Sequence, residues 1–339
     1  DENIIPEGYG EFADTLKLMH ELSKILRQEK INRGYIDFGI DEAKVIQDEN
    51  GKAIDIVKRI QGTGEKLIED FMIAANETVA THISNMDLPF IYRVHDLPNA
   101  EKIEDFSNLI KQMGYQIHTN LSKITPVTMQ KLLNEFRDKD EFVILSDMLL
   151  RSMKKAIYST NNIGHFGLAS KNYTHFTSPI RRYPDLLLHR LLHTYLFENK
   201  MDISTINYYE NCLPGMAENC SQREQAAVDA EREVDDMKMA EYMQDHIGET
   251  FEAKVASVVP SGMFVRLKNR IEGRVHVGSM EGDYYIVDEP SQSIIGKKSG
   301  IRYTIGDEVE VKAVDASKVE GTIDFELVKK KRLKYEKKS

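Results

Sequence analysis

The sequence predicts an α+β protein in two parts. The first is a mixed sheet with flanking helices, the second an all-β barrel of five strands. Three observations carry this. Before residue 248, long segments repeat apolar residues at helical spacing, with shorter β-like runs between them. After Gly248 the texture changes to five short β-like runs separated by turns, the pattern of a small closed barrel. The chain has 339 residues, 41% hydrophobic and 29% charged. That length suits about two domains, and the composition excludes a disordered or collagen-like chain.

Each element has a local reason. Phe12, Leu16, Met19, Leu22 and Leu26 mark a helix over residues 12–30. Residues 33–38 read as a strand. Residues 43–47 and 53–58 read as a hairpin around Asn50-Gly51, a type I′ turn signal. Helices follow over about residues 65–84 and 100–113, the second ending at Gly114. Thr125-Pro126 opens another, with Thr as cap and Pro in the first turn. Residues 163–176, rich in glycine and aromatics, read as strand and loop. Ser178-Pro179 opens a helix to about Leu196. Ser221 to Glu224 has capping-box spacing and opens a charged helix to about Met243. The barrel strands are expected at 251–259, 263–267, 273–277, 308–314 and 322–327. The resulting division is 1–247, 248–328 and a basic tail, 329–339.

Charge and cysteines narrow the function classes. The formal net charge is −10, mildly against a nucleic-acid binder, yet the tail holds Lys329, Lys330, Lys331, Arg332, Lys334, Lys337 and Lys338. Such a tail reads as a solvated end or as a phosphate-attracting arm. An acidic body still binds RNA where its cations line an interior channel. Cys212 and Cys220 give no disulfide framework and lack the partners for a zinc site, so a reducing, cytoplasmic setting is expected. No apolar run reaches the roughly 18 residues of a membrane span, and residues 1–6 do not read as a signal peptide.

The informative segment is Tyr173-Thr-His-Phe-Thr-Ser-Pro-Ile-Arg-Arg-Tyr-Pro-Asp185. Two arginines in an opening helical turn oppose the helix dipole, which favours anions at that end. They make sense where a phosphate sits, or where both pair with a local acid such as Asp185.

Residues 175–190, HFTSPIRRYPDLLLHR, resemble the signature of the ribonuclease II/ribonuclease R family of RNB-type 3′→5′ exoribonucleases. RGYIDF (33–38), LIEDFMIAAN (67–76), YRVHD (92–96) and DAERE (229–233) resemble the same family in the same order, so the likeness covers essentially the whole chain. GMFV (262–265), EGRVHV (272–277) and GDEV (306–309) resemble an S1-type RNA-binding domain, an OB-fold.

The resemblance implies processive hydrolysis of single-stranded RNA, and of structured RNA with a 3′ overhang, to nucleoside 5′-monophosphates. It implies Mg²⁺, no small-molecule cofactor, no membrane and a monomer. Arg181 matches the arginine beside the scissile phosphate, and Glu231 an acid approaching the active centre. Arg182 supports the site or holds a neighbouring phosphate. Phe38 matches an aromatic packing on the 3′-terminal bases, and Glu69 an acid near the terminal nucleotide, where a carboxylate can read a ribose 2′-OH. Asn76 lies on the same helical face as Glu69, and Tyr92, Arg93 and His95 fall near the expected RNA path. In the S1-type part, Phe264 and His276 offer faces for stacking on bases.

Plainer readings stand beside these. Phe38 also suits a core-facing strand, Glu69 and Glu231 exposed helical acids, His95 a structural histidine, Phe264 barrel core, and Tyr284-Tyr285 turn packing. The family's metal ligands lie in a motif, DxxxxxDxDD, that the sequence lacks. Asp138 and Asp140 have the wrong spacing, Asp235-Asp236 lies in the late charged helix, and Asp37 and Asp41 flank a strand end without partners. The chain is therefore expected to begin inside the catalytic domain, to hold no metal ligands and to be inactive alone. The rivals are a non-catalytic RNA-binding module and, more remotely, a translation or ribosome-associated factor built on the S1-type part.

Overall fold

The computed structural model describes residues 7–39, 42–121, 123–139, 141–288 and 291–332. Asp41, Asp140 and the tail residues Lys334, Lys337 and Lys338 lie outside them.

Helix α1 (Ala13–Arg33) ends at Gly34, whose φ of 104° suits glycine. A Cβ there would lie 2.8 Å from the backbone of Val127. The expected strand over 33–38 does not form. Arg33 closes α1, and the following segment spends its backbone groups elsewhere. Ile36 N–H donates to the Gly167 carbonyl (3.1 Å), Gln130 donates to the Tyr35 carbonyl (3.0 Å), and Arg137 to that of Asp37 (3.3 Å). With those groups taken, no ladder is available.

Strands β1 (Glu42–Gln47) and β2 (Ala53–Arg59) form the expected hairpin. The turn is not type I′, which needs positive φ at both central residues. Only Gly51 has it, at 76°. The Asp48 carboxylate accepts the amides of Asn50 (2.9 Å) and Lys52 (2.8 Å), and Gly51 N–H reaches the Asp48 carbonyl (3.0 Å). The side chain thus organises a longer loop.

Helix α2 (Thr63–Asn85) follows, with Glu65 accepting the Gly62 amide (2.8 Å). Strands β3 (Tyr92–Val94) and β4 (Ile157–Ser159) pair antiparallel. Between them lie α3 (Ala100–Gln112), α4 (Pro126–Phe136) and α5 (Phe142–Ser152). Sequence reading passes over α5 because it has no side-chain cap and opens as an unbroken apolar run. Ile110, Leu132, Leu133, Phe136, Leu145 and Leu149 bury these three helices against one another.

Helix α6 (Tyr183–Leu192) is followed by a π-helical turn, His193–Phe197. It begins later than Ser178-Pro179 suggests, for reasons given below. Helix α7 (Ile203–Gln244) is one element, about 63 Å long at 1.5 Å per residue. Its cap is Asp202, which accepts the amides of Ser204 and Thr205 (3.0 and 3.1 Å). Ser221 caps nothing: its hydroxyl donates to the Ala217 carbonyl one turn back (3.0 Å) and accepts the Tyr158 amide (2.9 Å).

The barrel is closed in the order β11-β12-β7-β6-β5. Its strands are β5 (Thr250–Val259), β6 (Gly262–Leu267), β7 (Glu272–His276), β11 (Glu308–Ser317) and β12 (Thr322–Arg332). Between β7 and β11 an unanticipated small sheet forms from β8 (Tyr285–Asp288), β9 (Ser293–Gly296) and β10 (Arg302–Thr304). Alternate residues, including Val255, Met263, Val265, Val275, Val309, Val311 and Phe325, fill the barrel. Gly273 is needed there, since a Cβ would lie 2.3 Å from the Phe325 ring.

The two parts interlock. Ile56 of β2 and Ala240 and Met243 of α7 belong to the barrel's core, and Ile305 from the barrel side belongs to the core of α3–α5. Glu241 of α7 accepts from Lys238 (2.7 Å), from Lys318 in the β11–β12 turn (2.6 Å) and from the Ala53 amide of β2 (3.2 Å). Arg266 of β6 pairs with Asp147 of α5.

Those partners hold the Glu241 carboxyl down to about 2, from an ordinary 4.5. A depressed carboxyl contributes stability that is complete above its unfolded value and is lost as pH falls through the folded one. Thermal unfolding followed from pH 7 to 2 should show Glu241→Gln destabilised at neutral pH. The gap to the parent should close between about pH 4.5 and 2.

Candidate phosphate-binding site

The site is built on a segment without regular secondary structure, residues 173–182, which runs between β4 and α6. Side chains from three elements and one backbone carbonyl tie it down. The Tyr173 hydroxyl oxygen accepts from Asn76 Nδ2 of α2 (3.1 Å). Thr174 donates to the Ile91 carbonyl (2.7 Å). His175 Nδ1 hydrogen-bonds to the Tyr158 hydroxyl of β4 (2.8 Å). Phe176 N–H donates to Asn76 Oδ1 (2.9 Å), and its ring stacks on His189 of α6, centroids 4.1 Å apart.

Ser178 to Arg181 then make a tight turn, with the amides of Arg181 and Arg182 both directed at the Ser178 carbonyl (3.3 and 3.0 Å). Helix α6 starts only beyond it, with Pro184 in its first turn. The fully buried Asp185 explains the late start. Its Oδ1 takes the Ser178 amide (2.7 Å) and the Arg182 guanidinium (2.8 Å), folding the turn back onto the helix end.

The two arginines therefore separate in role. Arg182 is neutralised by Asp185, as the plainer reading expects of both arginines, but Arg181 is not. The Arg181 side chain is exposed and, among the described residues, has no hydrogen-bond or ion-pair partner. Its guanidinium, always charged and forked, is the group free to grip a phosphate.

The surroundings are rich in aromatic rings, and two buried imidazoles among them stay uncharged. Burial, aided by Arg182 and Arg93, pushes the His175 pKa down to about 2. Burial and the neighbouring His95 push that of His165 to about 3. Arg93 lies over the Tyr158 ring (4.7 Å) and pairs with Glu224 of α7 (2.5 Å). Tyr158 and Glu224 escape sequence reading because their partners are remote in the chain and no local motif marks them.

The remaining candidates lie apart. Phe38 is half-buried and packs on the α3–α5 core. Glu69 pairs with Lys30 (3.2 Å) and, with Tyr35, Asp37, Lys66 and Arg137, lines a cavity of about 380 Å³. Glu231 is exposed on α7, two turns beyond Glu224. Asp235 nearby has its carboxyl raised by burial, then by Glu231 and Glu42. Among the described residues no contact joins Arg181 to Phe38, Glu69 or Glu231. Helix α2 links the regions, with Glu69 at the cavity and Asn76 at the Arg181 segment.

On the barrel, Phe264 points outward between the inward Met263 and Val265, which removes it from the core. It is paired across the sheet with Ser257 and Arg274. Arg274 is held by Asp324 (2.9 Å). His276 is exposed, and its Nδ1 accepts the Gly278 amide (3.0 Å). Tyr284 is exposed beneath Lys297 (4.9 Å), while Tyr285 packs edge-on to Tyr303. Among the described residues, no three His, Cys, Asp or Glu side chains converge as a metal site would require.

An exposed arginine on a side-chain-pinned turn, followed by a closed OB-type barrel, lies within a chain of two matched domains. Residues 4–198 match the RNB domain, and residues 244–327 the S1 RNA binding domain. The chain belongs to the RNB family, alongside the ribonuclease R enzymes. It is 47% identical to Ribonuclease R 1 of Lactococcus lactis over 94% of its own length and 39% of that protein's. It is 46% identical to Ribonuclease R of Thermotoga maritima over 94% of its length and 45% of that protein's. RNase R of Mycoplasma genitalium, solved in complex with ribose methylated single-stranded RNA, superposes with a TM-score of 0.88. There the identity is 29%, over 93% of this chain and 50% of that one. The chain thus spans half or less of the length of these relatives.

Asp185→Ala strands the Arg182 charge and frees the Ser178 amide. It should cost roughly 3–5 kcal/mol, as breaking a buried pair does, measured by urea unfolding. Asp185→Asn, which keeps an acceptor for Ser178, should cost less.

Proposed function

We propose that this chain supplies the phosphate-gripping arginine and the strand-capturing barrel of a processive 3′→5′ exoribonuclease. Its substrates are single-stranded RNA and structured RNA with a 3′ overhang, and it releases nucleoside 5′-monophosphates. The observation that carries the reading is Arg181. It is an unpaired, exposed guanidinium on a segment fixed at both ends, in a chain of the RNB family.

In this reading Arg181 donates to the non-bridging oxygens of the scissile phosphate. Its fixed charge counters the negative charge that grows there as water attacks. Arg182, held by Asp185, braces the turn. Glu231 approaches from α7, which Arg93–Glu224 and Ser221–Tyr158 moor beside the segment. Phe38 and Glu69 belong to the terminal-nucleotide end, and Phe264 and His276 give the barrel its stacking face. Mg²⁺, which the family relationship implies, would supply water activation and leaving-oxygen stabilisation. The protein acts on cytoplasmic RNA as a monomer.

The rival reading is an RNA-binding module without catalysis, which the S1-matched barrel would serve equally. Incubating the 339-residue chain with 5′-labelled single-stranded RNA and Mg²⁺ separates the two. Stepwise shortening from the 3′ end makes the chain itself a nuclease, and binding without shortening leaves it an RNA-binding part. In a form that shortens RNA, Arg181→Ala should lower the rate by two orders of magnitude or so, with a smaller loss of affinity. Equal losses in both remove the catalytic assignment. Phe264→Ala should weaken single-stranded RNA binding by roughly 1–3 kcal/mol, read by fluorescence anisotropy on a variant with the parent's circular dichroism.

A further inference from the structure

Two side-chain oxygens hold the backbone on either side of Thr177. Asp185 Oδ1 takes the Ser178 amide (2.7 Å) from within the signature segment itself. Asn76 Oδ1 takes the Phe176 amide (2.9 Å) from helix α2, a hundred residues away in sequence. Asn76 is 2% exposed, and both ends of its amide are engaged, since Nδ2 also donates to the Tyr173 hydroxyl (3.1 Å). One side chain therefore spans the stretch from Tyr173 to Phe176. The next residues, Thr177 to Arg181, have no strand or helix to fix them. Thr177 Oγ1 is buried with no hydrogen-bond partner, so its side chain adds no anchor.

We propose that Asn76 is the positioning residue for Arg181, setting the height and direction at which the turn presents its guanidinium to a phosphate. This deepens the exoribonuclease reading and rests on it. The chemistry is specific to an amide or carboxylate. The Phe176 N–H needs an acceptor, and the Tyr173 hydroxyl can either accept from an amide or donate to a carboxylate. Leucine has the same branched four-atom side-chain skeleton, is bulkier, and does neither. His189 and Asp185 keep the segment attached when Asn76 is changed. The expected result is a misplaced turn in a folded protein, and a misplacement of about 1 Å in a catalytic group can cost on the order of 100-fold in rate.

The test compares Asn76→Leu and Asn76→Asp with the parent, in the full-length protein with Mg²⁺ and a 5′-labelled oligoribonucleotide. Amide hydrogen exchange is read on the same samples. Asn76→Leu should lower kcat on the order of 100-fold with KM changed less than about threefold. Faster exchange should be confined to residues 173–182, with the barrel as protected as in the parent. Asn76→Asp, which keeps acceptors for both partners, should recover most of the rate and of the protection. Unchanged exchange at Phe176 in the leucine variant overturns the proposal. So does lost protection with an unchanged kcat, or a leucine effect that Asn76→Asp shares in full. A parent protein that shortens no RNA overturns the exoribonuclease reading, and with it the claim for Arg181. The exchange data then still decide whether Asn76 orders the segment.

Discussion

A segment that forms neither helix nor strand has no ladder to pair its amides. Its amides must then be paired by side chains, because buried N–H groups left unpaired are costly. Residues 173–182 meet that constraint with Asn76 and Asp185, each giving an oxygen to one amide beside Thr177. Much of the surrounding structure follows. Helix α2 must pass close enough for Asn76 to reach. Helix α6 must begin late enough for Asp185 to fold back. Strand β4 must place Tyr158 against His175.

The same logic explains how the two domains share one frame. Helix α7 crosses both, paired to β3 through Glu224 and Arg93 and joined to the barrel through Met243 and Glu241. The barrel answers with Ile305 in the helical core and Arg266 against Asp147. Apolar burial supplies most of the adhesion. The ion pairs fix direction, since a charge pair tolerates little slippage once part-buried.

What the sequence could tell depended on how local each cause was. The hairpin, the α2 and α3 helices and the five barrel strands rest on periodicity, glycine and caps within a few residues, and all are present. The failures share a different origin. Residues 33–38 look like a strand, but whether they pair depends on Gln130, Arg137 and Gly167. Ser178-Pro179 looks like a helix start, but Asp185 folds the turn back. Ser221 looks like a cap, yet α7 runs through it from Asp202. At the candidate site, Arg181 was legible through resemblance and its freedom from Asp185 was not. Phe264 was legible as an aromatic on a strand, and only the register showed that it faces outward. Phe38 lies on the helical core, which the plainer reading of that residue had allowed.

The histidines around the site carry a last consequence. Because burial keeps His165 and His175 neutral down to about pH 3 and 2, the positive field near the turn comes from guanidinium groups, which do not titrate in water. Acidification across the range in which ordinary imidazoles gain a proton therefore leaves these two rings uncharged. They serve as aromatic spacers beside Arg93 and Arg182 rather than as cations.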